Sequence, residues 1–139
     1  MAQSVQELMT PNPTTYPATT SLTDAARAMR DEQVGDVLVE RDGTVCGIVT
    51  DRDIVVRTVA DGEDPADVRL GDICSRALVR LTTQDTVEDA IELMRDNAVR
   101  RIPVCEDGKA VGILSLGDLA IDRDPASALA DISAMPPNN

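Results

Sequence analysis

The sequence predicts an α/β protein made of two similar halves, each with a short leading helix and a β-α-β-β-α order of elements. The main observation is a repeated pattern of glycine, two apolar residues, a hydroxyl residue, two variable positions and aspartate, at residues 47–53 and 112–118. The copies start 65 residues apart in a chain of 139, and a fixed internal period indicates structural repeats. A three-stranded sheet with two helices has too small a core to be stable alone. We therefore predict two pseudosymmetric repeats packed sheet to sheet.

The similarity between the halves keeps one register through helix, strand, turn and helix. Identical residues at this offset include Asp24 and Asp89, Met29 and Met94, Asp42 and Asp107, and Gly47 and Gly112. The predicted organisation is therefore a first repeat at residues 1–64, a second at residues 65–124, and a C-terminal tail at residues 125–139 that we expect to be partly disordered.

Local signals predict the elements of each half. Ser4 and Glu7 form a capping-box pattern that starts the leading helix, and Gly35 is expected to stop the next helix. The predicted first-half segments are an extended piece at 14–16, a helix from 21, strands at 37–39 and 45–49 joined by an Asp-Gly turn, and a helix at 51–60. The corresponding second-half segments are a short helix at 68–74, an extended piece at 78–81, a helix after Thr86, strands at 102–104 and 110–114, and a last helix after Ser115.

Composition excludes several classes of function. The chain has no histidine, which excludes His-based acid–base chemistry, and its three cysteines form no CxxC pair, so neither a zinc site nor an enzyme is expected. A net charge of −12 opposes binding to nucleic acid and to anionic membranes. No apolar stretch reaches membrane-spanning length, so we expect a cytoplasmic protein with reduced thiols.

The repeated stretch has two interpretations. Thr50 with Asp53, and Ser115 with Asp118, are helix starts that capping alone would explain. However, glycine inside a strand often marks a close approach by a ligand or another backbone. A hydroxyl at a helix N-terminus suits a phosphate, and an aspartate one turn further can accept from the hydroxyls of a ribose. With an aliphatic slot for a base, these features describe a nucleotide pocket.

The doubled G-h-h-[S/T]-x-x-D element, with residues 99–104 between the copies, resembles a tandem pair of cystathionine-β-synthase (CBS) domains, the Bateman module, over residues 5–124. The resemblance implies a stand-alone regulatory module without catalytic activity or a cofactor. It also implies that AMP, ADP, ATP, S-adenosylmethionine or another adenine nucleoside or nucleotide binds in clefts between the repeats. Signalling through a homodimer or a separate protein partner is implied as well.

The resemblance also assigns candidate residues to two unequal sites. Those of the first site are Thr15, Val37, Thr50 and Asp53, with Arg100 and Arg101 lent to the phosphate by the other repeat. Those of the second site are Arg80, Ile102, Ser115 and Asp118. Arg80 stands where the first repeat has Thr15, and Gly35 and Asp36 stand where the second has its arginines. We therefore predict that the first site binds the phosphorylated ligand and that the second is weaker or prefers an uncharged nucleoside.

Other interpretations remain open from the sequence. One alternative is a structural or interaction module with vestigial pockets, in which the hydroxyls and aspartates survive only as caps. A redox or metal sensor would use Cys46, Cys74 and Cys105, among which Cys74 is the best candidate for a reactive thiol. The apolar helix positions Ala25, Ala26, Met29, Ala90, Ile91 and Met94 fit either a dimer interface or the core.

Overall fold

The fold is described from a computed structural model, which places residues 3–74 and 79–123. The described chain divides into two compact units, one formed by residues 14–74 and the other by residues 3–13 together with 79–123. The predicted tail at 125–139 lies outside the described residues.

The architecture is mixed α/β, with one three-stranded sheet in each unit. In chain order the helices are α1 (Val5–Leu8), α2 (Leu22–Glu32), α3 (Asp51–Ile54), α4 (Leu70–Ile73), α5 (Val87–Asn97) and α6 (Leu116–Arg123). The strands are β1 (Thr10–Pro11), β2 (Thr15–Pro17), β3 (Asp36–Arg41), β4 (Thr44–Thr50), β5 (Arg101–Glu106) and β6 (Lys109–Ser115). The predicted fold class and the two repeats are confirmed, whereas the packing of one sheet against the other stays a prediction.

In the unit formed by residues 14–74 the strand order is β2-β3-β4. Strand β2 runs parallel to β3, and β3 runs antiparallel to β4. The turn between β3 and β4 has Asp42 at φ 55° and Gly43 at φ 78°, the left-handed conformation that an Asp-Gly hairpin turn requires. The predicted strands and turn are therefore confirmed.

Helix ends depart from the prediction in both units. Helix α2 ends before Gly35, since Gln33 takes the left-handed conformation at φ 56° and donates its N–H to the Met29 carbonyl. Ala98 ends α5 in the same way at φ 53°. The segment predicted as one helix at 51–60 is α3 followed by a π-helical turn at Val55–Val59, where the Thr58 hydroxyl donates to the Ile54 carbonyl. The local sequence signals therefore predicted the presence of the helices more accurately than the residues at which they end.

The other sheet has the strand order β1-β6-β5. Its third strand is β1, because Thr10 pairs with Ile113 and Pro11 pairs with Gly112. The extended piece predicted at 78–81 does not supply a strand among the described residues, since Leu81 makes only an isolated parallel bridge with Val104. Residue 78 lies outside the described part of the chain.

The short leading helices are exchanged between the repeats. The Val5 N–H donates to the Asp85 carbonyl at 2.9 Å, so α1 joins the unit that holds the second repeat. Helix α4 joins the first repeat, where the Leu70 N–H donates to the Thr20 carbonyl at 2.9 Å. The capping box predicted at Ser4 is wrong, because the Ser4 side chain makes no cap hydrogen bond and Ser4 instead forms a bridge with Thr86.

Each unit has its own aliphatic core. Ala25 and Met29 of α2 are buried in one core, and Ala90 and Met94 of α5 are buried in the other. These four residues therefore belong to the cores, while Ala26 of the same set is exposed. Among the described residues, none of the helices combines the length and the apolar character needed to cross a membrane.

Candidate functional site

The first copy of the repeated stretch folds as a reciprocal cap between β4 and α3. The Asp53 N–H donates to Thr50 Oγ1 at 3.1 Å, and the Thr50 N–H donates to Asp53 Oδ2 at 2.9 Å. The Asp53 side chain remains 31% exposed, and each carboxylate oxygen has two lone pairs. The carboxylate therefore caps the helix and keeps acceptor capacity for a ligand hydroxyl.

The second copy has the same geometry. The Asp118 N–H donates to Ser115 Oγ at 3.1 Å, and the Ser115 N–H donates to Asp118 Oδ2 at 2.9 Å. Thr86 and Asp89 form an equivalent reciprocal pair at the start of α5, outside both predicted sites. The hydrogen bonds alone are thus explained by capping, and a binding role must rest on what surrounds each pair.

Four predicted residues of the first site lie at one end of the β2-β3-β4 sheet. Thr15 pairs with Leu38 in the parallel ladder, and Val37 pairs with Val49, the residue before Thr50. Thr15, Val37 and the Thr50–Asp53 cap are therefore brought together. The Val37 side chain is fully buried in the core, so the predicted contact of this side chain with a base stays untested.

The hydroxyl of Tyr16, next to Thr15, is engaged with a carboxylate. It donates to Glu32 Oε2 at 3.0 Å, and the Thr14 hydroxyl donates to Glu32 Oε1 at 3.4 Å. The hydrogen bond to Glu32, together with the negative charge of that group, raises the pKa of Tyr16. The single aromatic side chain of the protein is therefore a neutral phenol held against α2.

Arg57 lies beside the predicted residues of the first site, and the sequence did not single it out. Its Nη1 donates to the Ile73 carbonyl at the end of α4 at 3.1 Å, and its Nε lies 4.0 Å from Asp53 Oδ1. Arg57 also lines a cavity of about 620 Å³, whose other charged lining residues are Asp61, Glu63, Asp67 and Asp72. The Arg57 guanidinium connects the Asp53 carboxylate, the candidate partner of a ribose, with α4. This connection depends on tertiary contacts, which the spacing of residues in the sequence does not reveal.

Replacing Arg57 by glutamine is expected to lower the melting temperature by about 3 °C. The variant loses a charge-assisted hydrogen bond and a half-exposed ion pair, together worth about 1 kcal/mol. Differential scanning calorimetry measures the change. Arg52→Gln, an exposed arginine of α3, is the matched control and should leave the melting temperature within about 1 °C. An equal loss in both variants would contradict the link to α4.

The second site has different charges around its carboxylate. Asp118 lines a cavity of about 440 Å³ together with Glu7, Leu8, Ile121 and Asp122. Asp122 occupies the position that corresponds to Arg57 in the first repeat. Three carboxylates thus line this cavity, and none of its described lining residues is an arginine, so the environment disfavours a phosphate.

The remaining predicted residues of the second site are spread along β5. Ile102 is fully buried, whereas Arg80 is exposed and precedes Leu81, whose N–H donates to the Pro103 carbonyl at 3.0 Å. Arg80 therefore takes the same place beside β5 that Thr15 takes beside β3. Its positive charge acts on Cys105, although burial dominates and raises the pKa of that thiol.

Arg100 and Arg101 are both exposed and stand at the start of β5. The Arg100 carbonyl accepts from the Leu116 N–H at 2.8 Å, and Arg101 pairs with Ser115. Arg100 also lines a largely apolar cavity of about 460 Å³ between the end of α5 and the start of α6. Their predicted contribution to the first site stays a prediction.

The glycine inside β6 has a structural reason. A Cβ added at Gly112 would lie 2.7 Å from Met9 Cγ and 3.0 Å from Met9 Cε, closer than real Cβ atoms approach such groups. Gly112 thus admits the side chain that follows α1. Glycine at this position was expected to mark a close approach by a ligand or another backbone. In the structure it instead makes room for the side chain of Met9.

Among residues 3–74 and 79–123 the structure contains no cluster of three or more His, Cys, Asp or Glu side chains that could hold a metal ion.

The two units, each a three-stranded sheet with helices and a reciprocally capped strand-to-helix junction, define a protein made of two copies of one α/β repeat. The sequence model described as "CBS domain" matches residues 5–59 and 70–121, so the chain belongs to the CBS domain family. The CBS domain-containing protein YhcV of Bacillus subtilis (strain 168) is 35% identical over 134 residues, which cover 94% of this chain and 95% of that protein.

Solved structures agree with this assignment. Hypoxic Response Protein I, solved with two coordinated zinc ions, has a TM-score of 0.78 and 27% identity, covering 86% of this chain and 98% of its own. The CBS domain pair of protein MJ0100, solved with 5′-methylthioadenosine and S-adenosyl-L-methionine, has a TM-score of 0.79 and covers 91% of this chain and 100% of its own. At 19% identity the second likeness shows the fold alone.

Proposed function

We propose that this CBS pair is a regulatory module that binds an adenine nucleoside or nucleotide at the Thr50–Asp53 cap. The observation that supports it most is the setting of this cap: the partly exposed Asp53 carboxylate lies with Thr15 and Val37 at one end of the β2-β3-β4 sheet, and Arg57 Nε is 4.0 Å from its Oδ1. The Thr50 hydroxyl keeps a proton that it can donate to a phosphate, and the Asp53 carboxylate can accept from vicinal hydroxyls. The N–H groups of residues 50–53 already donate within the protein, so the phosphate contact is assigned to the hydroxyl. Membership of the CBS domain family supports an adenine compound as the ligand, since the CBS domain pair of protein MJ0100 was solved with 5′-methylthioadenosine and S-adenosyl-L-methionine.

The proposed asymmetry between the sites rests on their charges. Arg57 Nε lies 4.0 Å from Asp53 Oδ1 and partly offsets the four carboxylates of the neighbouring cavity that it lines. Asp118 shares its cavity with Glu7 and Asp122, and none of the described lining residues there is an arginine. A phosphorylated ligand is therefore assigned to the first site, and weaker binding or an uncharged nucleoside to the second. No catalytic step is proposed for either.

Thermal shift with a panel of nucleotides tests the function. Adenosine, AMP, ADP, ATP and S-adenosylmethionine are compared with GTP and inorganic phosphate as controls for the base and for the anion. A ligand at a hundredfold excess over its Kd stabilises a protein by about 2.7 kcal/mol, which raises the melting temperature by several degrees. If no adenine compound shifts it at millimolar concentration, the vestigial-pocket alternative is correct.

A homodimer through helical surfaces is part of the proposal. The support is apolar surface on the π-helical turn, where Val55, Val56 and Val59 are 56%, 48% and 58% exposed. Contiguous exposed aliphatic side chains are typical of association surfaces. Multi-angle light scattering decides between one chain and two, and a monomer at micromolar concentration would refute this part.

A further inference from the structure

Two of the three cysteines are in contact in the unit formed by residues 14–74. Cys46 lies in β4, and Cys74 directly follows α4. Their Sγ atoms are 4.0 Å apart, and both side chains are half-buried. A small oxidant can therefore reach two thiols that are already neighbours.

Packing does not require thiols at these positions. The residues that correspond to Cys46 and Cys74 in the other unit, 65 positions away, are Val111 and Met9. Both are partly buried against the core of that unit, so aliphatic and thioether side chains serve the same packing there. The paired sulfurs thus add a chemical capacity that the second repeat lacks.

We propose that Cys46 and Cys74 are a reversible disulfide-forming site for oxidants of the peroxide class. One thiolate attacks a peroxide oxygen, forms a sulfenic acid and releases hydroxide, which takes up the proton lost by the thiol to give water. The second sulfur then attacks the sulfenic sulfur, forming the S–S bond and releasing a second water. Two thiols and one hydrogen peroxide thus give one disulfide and two waters.

The geometry permits this bond after a modest movement. A disulfide needs sulfurs about 2.05 Å apart, so the two Sγ atoms must approach by about 2 Å. Cys74 has extended backbone beyond the last residue of α4, so its side chain can rotate without disturbing the helix. The bond would join α4 to β4 and enclose the Thr50–Asp53 cap in the cross-linked loop.

Cys105 serves as the internal control. It is only 8% exposed in the core of the other unit, and burial raises its pKa, which reduces the reactive thiolate fraction. Of the three thiols, Cys105 is therefore expected to remain reduced under mild oxidation.

Thiol counting on the full chain tests the proposal. After treatment with hydrogen peroxide and alkylation under denaturing conditions, mass spectrometry should show one alkylated thiol in place of three. Peptide mapping should find Cys46 linked to Cys74, and dithiothreitol should restore all three thiols. The oxidised protein should melt several degrees higher, because the cross-link restricts the unfolded chain.

Variants taken from the other repeat keep the packing and remove the chemistry. Cys46→Val and Cys74→Met should fold, form no intramolecular disulfide and show no oxidation-dependent melting shift, whereas Cys105→Ala should still form the Cys46–Cys74 disulfide and show the shift. The proposal is overturned if oxidation yields only sulfinic acid, an intermolecular disulfide on a non-reducing gel, or a bridge that contains Cys105. These readouts need no nucleotide, so they are independent of the proposed ligand.

Discussion

Replacing Asp53 by alanine is expected to weaken adenine-nucleotide binding about 10- to 100-fold, whereas Asp118→Ala should leave the tightest binding event intact. Asp53 is the acceptor assigned to the ribose hydroxyls, and a hydrogen bond to a charged group contributes about 1.5–3 kcal/mol. Isothermal titration calorimetry of each variant, with the best ligand from the thermal-shift panel, measures the change.

Loss of the helix cap must be separated from loss of the ligand contact. Asp89 makes the same reciprocal hydrogen bonds with Thr86 at the start of α5, outside both predicted sites. Asp89→Ala therefore controls for capping and should lower stability by about 1 kcal/mol without changing affinity. If Asp118→Ala abolishes binding while Asp53→Ala preserves it, the assignment of the two sites is reversed.

Replacing Gly112 by valine is expected to destabilise the protein by about 1–3 kcal/mol. The new Cβ would overlap the side chain of Met9, and overpacking of this kind forces side chains or backbone out of place. The effect should reach α1 and β1, since Pro11 pairs with Gly112 itself. Urea denaturation followed by circular dichroism measures the free energy of unfolding.

A double variant tests the cause of that loss. Met9→Ala should itself be destabilising, because it removes packed atoms, but it also makes room for a valine at position 112. The combined Met9→Ala and Gly112→Val variant should therefore be more stable than the sum of the two single losses predicts. Strict additivity would show that the glycine is required for a reason other than Met9.

The sequence predicted well those parts of the fold in which the interacting residues are close together in the chain. Asp42-Gly43 makes a hairpin turn because both residues tolerate positive φ, and Thr86 with Asp89 caps a helix because they are one turn apart. Each signal fits within a few residues, so spacing alone is enough. The family resemblance rests on the same local patterns and is confirmed.

The failures concern partners that are distant in the chain. Strand β1 was missed because two residues around a proline carry no strand signal until Gly112 and Ile113 lie beside them. Ser4 fits a capping box locally, but its place is decided by the bridge to Thr86. A sequence pattern indicates which secondary structure a segment favours. It does not indicate which strand of a sheet the segment will pair with.

The candidate site follows the same rule: contacts between residues close in the chain were predicted, and contacts between distant residues were not. The two residues of each pair, Thr50–Asp53 and Ser115–Asp118, are three positions apart in the chain, and their hydrogen bonds follow the prediction. Arg57 and the Cys46–Cys74 contact were not predicted, because both depend on α4 packing against the first repeat. The 65-residue repeat identifies equivalent positions in the two halves. The residues at those positions can differ, as Arg57 and Asp122 do, and such differences give the two sites different charges.

The exchanged leading segments also affect the order in which the chain can fold during synthesis. Residues 14–74 form one continuous stretch, so this unit has its described residues once Cys74 has left the ribosome. Residues 3–13 must wait, since Val5 finds its acceptor at Asp85, 80 positions later. Residues 3–13 are therefore made before the first repeat but are fixed only after it, and the nascent chain carries the apolar side of α1 uncovered until the second repeat emerges.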